Sequence, residues 1–275
     1  MLRPLSTLKR LPTERWFPDL IITDWDETAT LEDTIKLVAS VPYINKPDFQ
    51  PKFSYFTEIY LDSYKKYSTQ FQHEIGHRDS LEKEIKFQTG MKMVELSSIN
   101  AITDHNLFKD LTKQQFQDQA KNVKLKPGFI EFVKNSQQTN IPIVILSINW
   151  TSILIKQTLD NAGIDTNNGI TFMVNEFEFK SNKFGQEVTT GKWNPQPSIR
   201  TAIDKLQITE HLLETNQNIM YVGDSSTDLL SLLEANTGIV IEGSSLSDSM
   251  QKYIFIKDRL YVGNWDELNK LISFK

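Results

Sequence analysis

The chain contains no cysteine among its 275 residues. This absence excludes a disulfide framework, a thiolate nucleophile and a cysteine zinc site, and it is compatible with a reducing compartment. Long hydrophobic runs are absent as well. The apolar stretch from Ile141 to Leu146 is far shorter than a membrane-spanning helix and is interrupted by Pro142. We therefore expect no transmembrane segment.

Neither sign of charge dominates the chain. The formal net charge is -5, and acidic and basic residues are interspersed, so no broad basic field is available to attract nucleic acid or an anionic membrane surface. We therefore predict that neither nucleic acid nor a membrane is a partner. Any anionic substrate must be bound by charged or polar groups within its own site. The length of 275 residues favours one core with a substantial insertion over two independent halves.

The N-terminal stretch is basic and has no acid before Glu14. Its basic residues are Arg3, Lys9, Arg10 and Arg15. This composition is typical of an organellar presequence, but Pro4 and Pro12 favour an arm that packs against the core instead. We expect a cytoplasmic location, with a mitochondrial location as the alternative.

Short apolar runs alternate with helical patterns along most of the chain. The predicted strands are Leu20 to Ile22, Ile141 to Leu146, Ile170 to Val174, Ile219 to Val222 and Gly238 to Ile241. Helical periods follow most of them, including one predicted from Ser198 to Leu206. Because strand and helix alternate, we predict an α/β fold with a doubly wound, Rossmann-like parallel sheet.

One long segment interrupts this alternation and contains no convincing strand. Aromatic residues recur in it at three- and four-residue intervals, as one face of a helix requires. They are Phe53, Phe56, Tyr60, Tyr64, Tyr67 and Phe71. We interpret the stripe as the core of a helical bundle whose edge could face substrate. The predicted organisation is a core of residues 1–28 and 124–275 with a helical cap inserted at residues 29–123.

Acidic residues follow the first strand and the strand at Ile219. The segment Asp24-Trp25-Asp26-Glu27-Thr28 comes directly after one, and Gly223-Asp224, with Asp228 beyond, comes after the other. Ligands of open parallel sheets bind outside the carboxyl ends of the strands, so these acids should meet. Carboxylates suit Mg²⁺, and an aspartate can also accept a phosphoryl group covalently. The pattern predicts metal-assisted phosphoryl transfer.

The segment from Asp24 to Thr28 resembles the first motif of the haloacid dehalogenase superfamily, in its aspartate-phosphatase branch. Ser147, after an apolar strand, resembles the second motif, and Gly223-Asp224 with Asp228 resembles the fourth. The resemblance runs from about Asp19 to Ile241. The insertion is similar to the cap of the phosphoserine-phosphatase-like group, which implies the same capped fold.

The resemblance implies roles for individual residues. Asp24 would be the nucleophile and a metal ligand, and Asp26 the general acid and base, with a backbone carbonyl that also binds the metal. Asp224 would ligate Mg²⁺, and Asp228 would support the metal site directly or through water. Thr28 would support the loop beside the substrate.

Phosphate binding is implied for a second group of residues. Ser147 and backbone N–H groups near Ile148 would hold the phosphoryl oxygens. The third motif of the family supplies a lysine, but in this chain Arg200 stands at the most plausible place. We therefore expect Arg200 to be the phosphate-binding cation, with Lys205 as the second candidate.

The implied reaction is Mg²⁺-dependent hydrolysis of a small phosphorylated metabolite through an aspartyl-phosphate, by a monomer or homodimer. Trp25 and Trp150 lie beside the motifs and would suit a substrate that contains a ring. Three alternatives remain: a phosphomutase, a catalytically inactive binding or regulatory protein with the same fold, and a zinc peptidase. The last rests on His73-Glu74-Ile75-Gly76-His77, which matches a two-histidine zinc motif with Glu95 as a conceivable third ligand.

Overall fold

The computed structural model describes residues 2–8, 18–249, 256 and 259–271. Its strands are β1 (Arg3–Pro4), β2 (Leu20–Thr23), β3 (Ile143–Ser147), β4 (Ile170–Val174), β5 (Phe177–Ser181), β6 (Glu187–Trp193), β7 (Ile219–Gly223), β8 (Thr237–Ile241) and β9 (Tyr261–Gly263). Its α-helices are α1 (Ile35–Asn45), α2 (Phe53–Glu74), α3 (Leu81–Asp104), α4 (Lys113–Gln117), α5 (Phe129–Gln138), α6 (Ser152–Asn161), α7 (Ala202–Leu213), α8 (Leu229–Glu234), α9 (Ser245–Ser249) and α10 (Trp265–Leu271).

Seven strands form one sheet in the order β1-β9-β8-β7-β2-β3-β4, and every neighbouring pair is parallel. The strands β2, β3, β7 and β8 are buried along their whole length, since hydrophobic clusters cover both faces of the sheet. This burial explains why they are near-continuous apolar runs instead of alternating patterns. The predicted α/β class and doubly wound parallel sheet are confirmed.

The segment between β2 and β3 is helical, as the aromatic spacing predicts. α2 and α3 pack together, and Phe71 of α2 lies in one buried cluster with Phe87, Met91 and Val94 of α3. At its other end, Phe56 of α2 lies in a cluster that also contains residues of the core. The aromatic stripe therefore spans two hydrophobic clusters, one at the tip of the insertion and one at its base.

The two chain segments that connect the insertion to the core run side by side. The backbone N–H of Leu31 donates to the carbonyl of Lys124 at 2.8 Å, and that of Lys126 donates to Ala29 at 2.8 Å. Thr30 and Leu125 form an antiparallel bridge between these bonds. The insertion thus leaves and rejoins the core through two adjacent segments, and the boundaries near residues 28 and 124 stay a prediction.

A hairpin and both ends of the described chain complete the structure. β5 and β6 pair antiparallel, and Thr189 of β6 contacts the end of the insertion. β1 pairs with β9 at the edge of the sheet, and Leu5 beside it is buried. Lys9, Arg10, Pro12 and Arg15 lie outside the described residues. None of the described helices combines the length and the hydropathy needed to cross a membrane.

α7 begins four residues later than the predicted Ser198. Thr201 has extended backbone and forms a capping box with Asp204, in which each side chain bonds the backbone N–H of the other residue. This reciprocal arrangement sets the first turn of the helix. Arg200 consequently precedes the helix, whereas Lys205 lies one turn inside it.

Candidate active site

Three carboxylates meet at the carboxyl ends of β2 and β7. Asp24 follows β2, and Asp224 and Asp228 follow β7, the strand that pairs directly with β2. One oxygen from each of the three residues lies within 4.8 Å of the others, and all three side chains are buried. Adjacent parallel strands end at the same edge of a sheet, which is why separate segments of sequence assemble this cluster.

Lys205 supplies the cation of the cluster. Its Nζ lies 2.9 Å from Asp24 Oδ1 and 2.7 Å from Asp228 Oδ1, and the side chain is fully buried. Burial alone lowers the pKa of Lys205, but the charges of Asp228 and Asp24 outweigh it and the pKa is raised. Lys205, the second candidate for the phosphate-binding cation, therefore lies against Asp24. Arg200, the first candidate, lies in the cleft described below.

Asp228 is held by a dense set of hydrogen bonds. Its Oδ1 accepts from Lys205 and from the Tyr221 hydroxyl at 2.8 Å, and its Oδ2 accepts from the backbone N–H of Asp224 at 3.2 Å. The side chain folds back over Gly223, where an added Cβ would lie 2.6 Å from Asp228 Cγ. Glycine thus permits the close approach, and Asp228 positions both Lys205 and the loop that carries Asp224.

Thr28, in the loop after β2, contacts Asp224, in the loop after β7. Its hydroxyl donates to Asp224 Oδ1 at 2.9 Å, and its own carbonyl accepts from Trp265 Nε1 at 2.9 Å. The side chain was expected to support the loop beside the substrate, and the structure places it on a carboxylate of the cluster.

Asp26 is bonded to the start of α1 and to the loop after β3. Its Oδ1 accepts from the backbone N–H of Thr34 at 2.6 Å and from the Thr34 hydroxyl at 2.5 Å, and its Oδ2 accepts from Asn149 at 2.9 Å. Burial raises the pKa of Asp26 to about 6, and the charge of Asp33 adds to this, although the bonds from Thr34 and Asn149 oppose it. A carboxyl with such a pKa can exchange a proton near neutrality.

The chemistry of the cluster fits a hard divalent cation. Burial raises the pKa of the Asp24 carboxyl well above its usual range, Asp228 adds to the rise, and Lys205 opposes it. Burial and the charge of Asp228 likewise raise the pKa of Asp224 to about 7. Three buried carboxylates thus share one ammonium group, and Mg²⁺, which prefers oxygen ligands, would offset the remaining repulsion. Asp24 and Asp224 would hold it, with Asp228 beside them.

The loop after β3 lies against this site. Ser147 ends the strand and is fully buried, and its Oγ accepts from the backbone N–H of Asn149 at 3.0 Å. Ile148 is half-buried and lines the cleft between the insertion and the core. Because β3 pairs in parallel with β2, Ser147 lies at the same edge of the sheet as Asp24.

Two asparagines of this region belong to none of the sequence motifs. Asn149 bonds Asp26, and Asn175 donates to the carbonyls of Ile148, Asn149 and Ile199 and accepts from the N–H of Ile199 at 2.9 Å. Asn175 thereby ties the loop after β3 to the segment before α7. Asn175 comes directly after β4, and the other site residues also follow strand ends. Its position in the sequence therefore indicates a site residue.

A cleft of about 350 Å³ separates the insertion from the core. Its lining residues are Asp33, Ile35, Phe53, Phe56, Thr57, Tyr60, Glu95, Ser98, Ile99, Ile102, Ile148, Trp150, Arg200 and Thr227. Trp150 therefore borders the cleft, as the sequence suggested. Trp25 does not, because it is fully buried against Phe129 and donates through Nε1 to Thr34. Trp25 therefore packs in the core and does not offer the contact with a substrate ring that was expected of it.

The zinc-peptidase alternative is contradicted by the helix boundary. α2 ends at Glu74, and Gly76 has a φ of +92°, so His77 lies beyond the helix. His73 and His77 cannot then share one helical face, which the zinc motif requires. Glu95 lies in the cleft instead, where its Oε1 accepts from Tyr60.

Comparisons by sequence identify similar proteins in fungi and plants. No family model matches the chain. It is 28% identical over 255 residues to Cold tolerance protein 1 of Saccharomyces cerevisiae, covering 81% of this chain and 78% of that protein. It is 24% identical over 265 residues to the Bifunctional TH2 protein, mitochondrial, of Arabidopsis thaliana, covering 82% of this chain but 40% of that protein.

Comparisons by structure agree on the architecture. A substrate-bound phosphoserine phosphatase superimposes with a TM-score of 0.53 at 16% identity, over 94% of this chain and 99% of that one. A HAD-family hydrolase of Salmonella enterica superimposes with a TM-score of 0.54 at 17% identity, over 92% of this chain and 70% of that one. Cytosolic 5'-nucleotidase IIIB bound to cytidine superimposes with a TM-score of 0.56 at 16% identity, over 93% of this chain and 85% of that one. At such low sequence identities, the structural similarity shows a shared fold and not a shared function. The chain has the fold of the haloacid dehalogenase (HAD) superfamily, in the form found in phosphoserine phosphatases.

Proposed function

We propose that the protein is a Mg²⁺-dependent phosphatase that hydrolyses the phosphomonoester of a small metabolite through an aspartyl-phosphate at Asp24. The observation that carries the proposal is the buried cluster of Asp24, Asp224 and Asp228 around Lys205. A purely structural role does not account for three buried carboxylates with one cation, because burial of unpaired charge costs free energy. The fold shared with phosphatases supports the same assignment.

The first half of the reaction would transfer the phosphoryl group to the enzyme. A carboxylate oxygen of Asp24 attacks phosphorus and forms a P–O bond while the bond to the leaving alcohol breaks. Asp26, whose pKa lies at about 6, donates its proton to the leaving oxygen. Bound Mg²⁺ would neutralise charge on the phosphoryl oxygens. Lys205 holds Asp24 in place, and Ser147 would donate to a phosphoryl oxygen.

The second half would release phosphate. Asp26, now ionised, accepts a proton from water as the water oxygen attacks phosphorus, and the P–O bond to Asp24 breaks. Thr34 and Asn149 keep the Asp26 carboxyl in one orientation through both halves. Asp24 is regenerated as a carboxylate, and inorganic phosphate leaves.

The test is phosphate release from a panel of small phosphomonoesters, measured with Mg²⁺, with EDTA and with Asp24→Asn. Asp62→Asn is the matched control, because Asp62 is exposed on α2. Turnover that requires both Mg²⁺ and Asp24 and survives Asp62→Asn supports the proposal. Turnover that persists in Asp24→Asn, or no turnover on any ester, contradicts it.

Metal binding can be measured without turnover. Mg²⁺ should raise the melting temperature of the wild-type protein, since a ligand that binds only the folded state stabilises it. The rise should disappear in Asp224→Asn. An equal rise in both proteins would exclude the carboxylate cluster as the Mg²⁺ site.

A further inference from the structure

The cleft between the insertion and the core borders the segments that hold the proposed catalytic acids. Asp33 and Ile35, which line it, flank Thr34, whose backbone N–H and hydroxyl donate to Asp26. Thr227, which also lines it, lies in the loop between Asp224 and Asp228. A phosphoryl group at Asp24 would therefore leave the rest of its substrate inside this cleft. Its volume of about 350 Å³ suits a small metabolite and not a peptide or a dinucleotide.

Aromatic rings form the walls of the cleft from both sides. Phe53 of α2 lies 6.1 Å from Trp150 of the core and 6.2 Å from Phe56, measured between ring centroids. Ile99, Ile102 and Ile148 extend the apolar surface. Flat rings pack against such walls in stacked or edge-to-face contacts, whereas a short polar chain would leave the apolar surface uncovered. The walls therefore favour a planar leaving group.

Glu95 offers an acceptor in the cleft. Its Oε1 accepts from the Tyr60 hydroxyl at 3.2 Å, and within the described part of the chain no second hydrogen bond reaches this carboxylate. Burial raises the pKa of Glu95 to about 7, while the bond from Tyr60 and the charge of Arg200 oppose the rise. Glu95 and Arg200 thus interact electrostatically, and both line the cleft.

Arg200 offers a donor that lacks a partner. Its side chain is 6% exposed, its guanidinium lies 5.1 Å from the centre of the Trp193 ring, and its Nη1 has no acceptor among the described residues. A buried donor without an acceptor is unfavourable, so an acceptor on a ligand would stabilise this arrangement. Lys205 already lies against Asp24, which leaves Arg200 free to contact another part of the substrate.

We propose that the cleft binds the leaving group of the substrate, and that Glu95 and Arg200 select a planar nitrogen heterocycle with a donor and an acceptor on one edge. The donor would bond Glu95, and the acceptor would bond Arg200. This proposal rests on the phosphatase function proposed above. It makes Glu95 and Arg200 specificity-determining residues for the leaving group.

The test compares three phosphate esters as substrates. The first is an aminopyridylmethyl phosphate whose amino group is next to the ring nitrogen, the second is benzyl phosphate, and the third is phosphoserine. We expect kcat/KM for the aminopyridyl ester to exceed that for benzyl phosphate by roughly ten-fold or more, because a site that bonds polar groups discriminates against analogues lacking them. Phosphoserine should be the poorest substrate of the three.

The variants Glu95→Met and Arg200→Met should each bring the aminopyridyl-to-benzyl ratio to within about three-fold, since each removes one bonding group at similar side-chain size. Glu82→Met is the matched control on α3, because Glu82 is exposed and pairs with Lys86 at the helix surface. The control should keep the wild-type ratio. Glu95→Gln retains the shape of the side chain and should give an intermediate ratio, so that a folding defect in Glu95→Met does not decide the outcome.

A ratio that stays at the wild-type value in Glu95→Met, Glu95→Gln and Arg200→Met would overturn the proposal, as would phosphoserine being the best substrate. The phosphatase function would stand in both cases. Binding of the aminopyridylmethyl phosphate, measured by calorimetry without turnover, separates the two claims. If no ester is hydrolysed, weakening of that binding by roughly ten-fold in Glu95→Met still supports the pocket, and equal binding refutes it.

Discussion

Lys205 is the residue that allows two acids to lie together in the interior. Its Nζ contacts Asp24 and Asp228 at 2.9 and 2.7 Å, and neither Lys205 nor Asp228 has exposed side-chain surface. Removal of one partner from a buried ion pair leaves an uncompensated charge, which is more unfavourable than loss of the pair as a whole. The stability of the molecule should therefore depend on this lysine.

We expect Lys205→Met to lower the free energy of unfolding by roughly 3–5 kcal/mol, because Asp24 and Asp228 lose their common cation. Urea denaturation of the two proteins at neutral pH measures the difference. Lys113→Met is the control, since Lys113 forms an exposed pair with Glu187 at 3.1 Å and should change stability little. Equal effects of the two substitutions would show that the buried pair contributes no more than a surface pair.

At the scale of secondary structure, the contact between α3 and α7 connects the insertion to the core. Lys92 of α3 lies 2.7 and 2.9 Å from the two carboxylate oxygens of Asp204. The same carboxylate accepts from the backbone N–H groups of Arg200 and Thr201 at the start of α7. One side chain thus caps a helix of the core and holds a helix of the insertion.

Asp204→Ala should be more destabilising than Lys92→Met by about 1 kcal/mol, the usual contribution of an N-terminal helix cap. Both substitutions remove the ion pair, but only Asp204→Ala also frees the N–H groups at the start of α7. Chemical denaturation of the two variants gives the difference. Hydrogen exchange should show faster opening of α3 in both, and of the first turn of α7 in Asp204→Ala alone. Equal stabilities would exclude a capping contribution from Asp204.

At the scale of the whole molecule, the C-terminal helix α10 is joined to the first catalytic loop. Trp265 is buried between Phe129 and Phe132, with ring centroids 4.9 Å from each, and its Nε1 bonds the carbonyl of Thr28. Thr28 in turn bonds Asp224. Segments separated by more than two hundred residues therefore depend on one another for their positions.

Trp265→Ala should destabilise the protein by about 3–5 kcal/mol, the usual cost of removing a large aromatic side chain from a core. The loss should appear in a single unfolding transition, because α10 packs on the same core as the sheet. Phe184→Ala is the control, since Phe184 is 81% exposed and the change should stay within about 0.5 kcal/mol. Separate melting of the C-terminal segment, with the sheet unaffected, would contradict the prediction.

Much of the fold could be predicted because it depends on local patterns. The strands at Ile170–Val174 and Ile219–Gly223 are bounded apolar runs, and the parallel sheet follows from their alternation with helices. The sequence does not predict the edge strand Arg3–Pro4 or its neighbour Tyr261–Gly263, since two and three residues carry no periodicity. The start of α7 was misplaced because the capping role of Thr201 depends on Asp204 as its partner.

The sequence by itself determined where the acids of the site come, since Asp24 and Asp224 each follow an apolar run and the carboxyl ends of parallel strands meet at one edge. Only the tertiary structure decided which cation joins them. Arg200 and Lys205 are both basic and five residues apart, and the spacing does not say which of them faces the sheet. Because α7 begins at Ala202, Lys205 lies inside the helix against Asp24, and Arg200 lies in the cleft beneath the insertion.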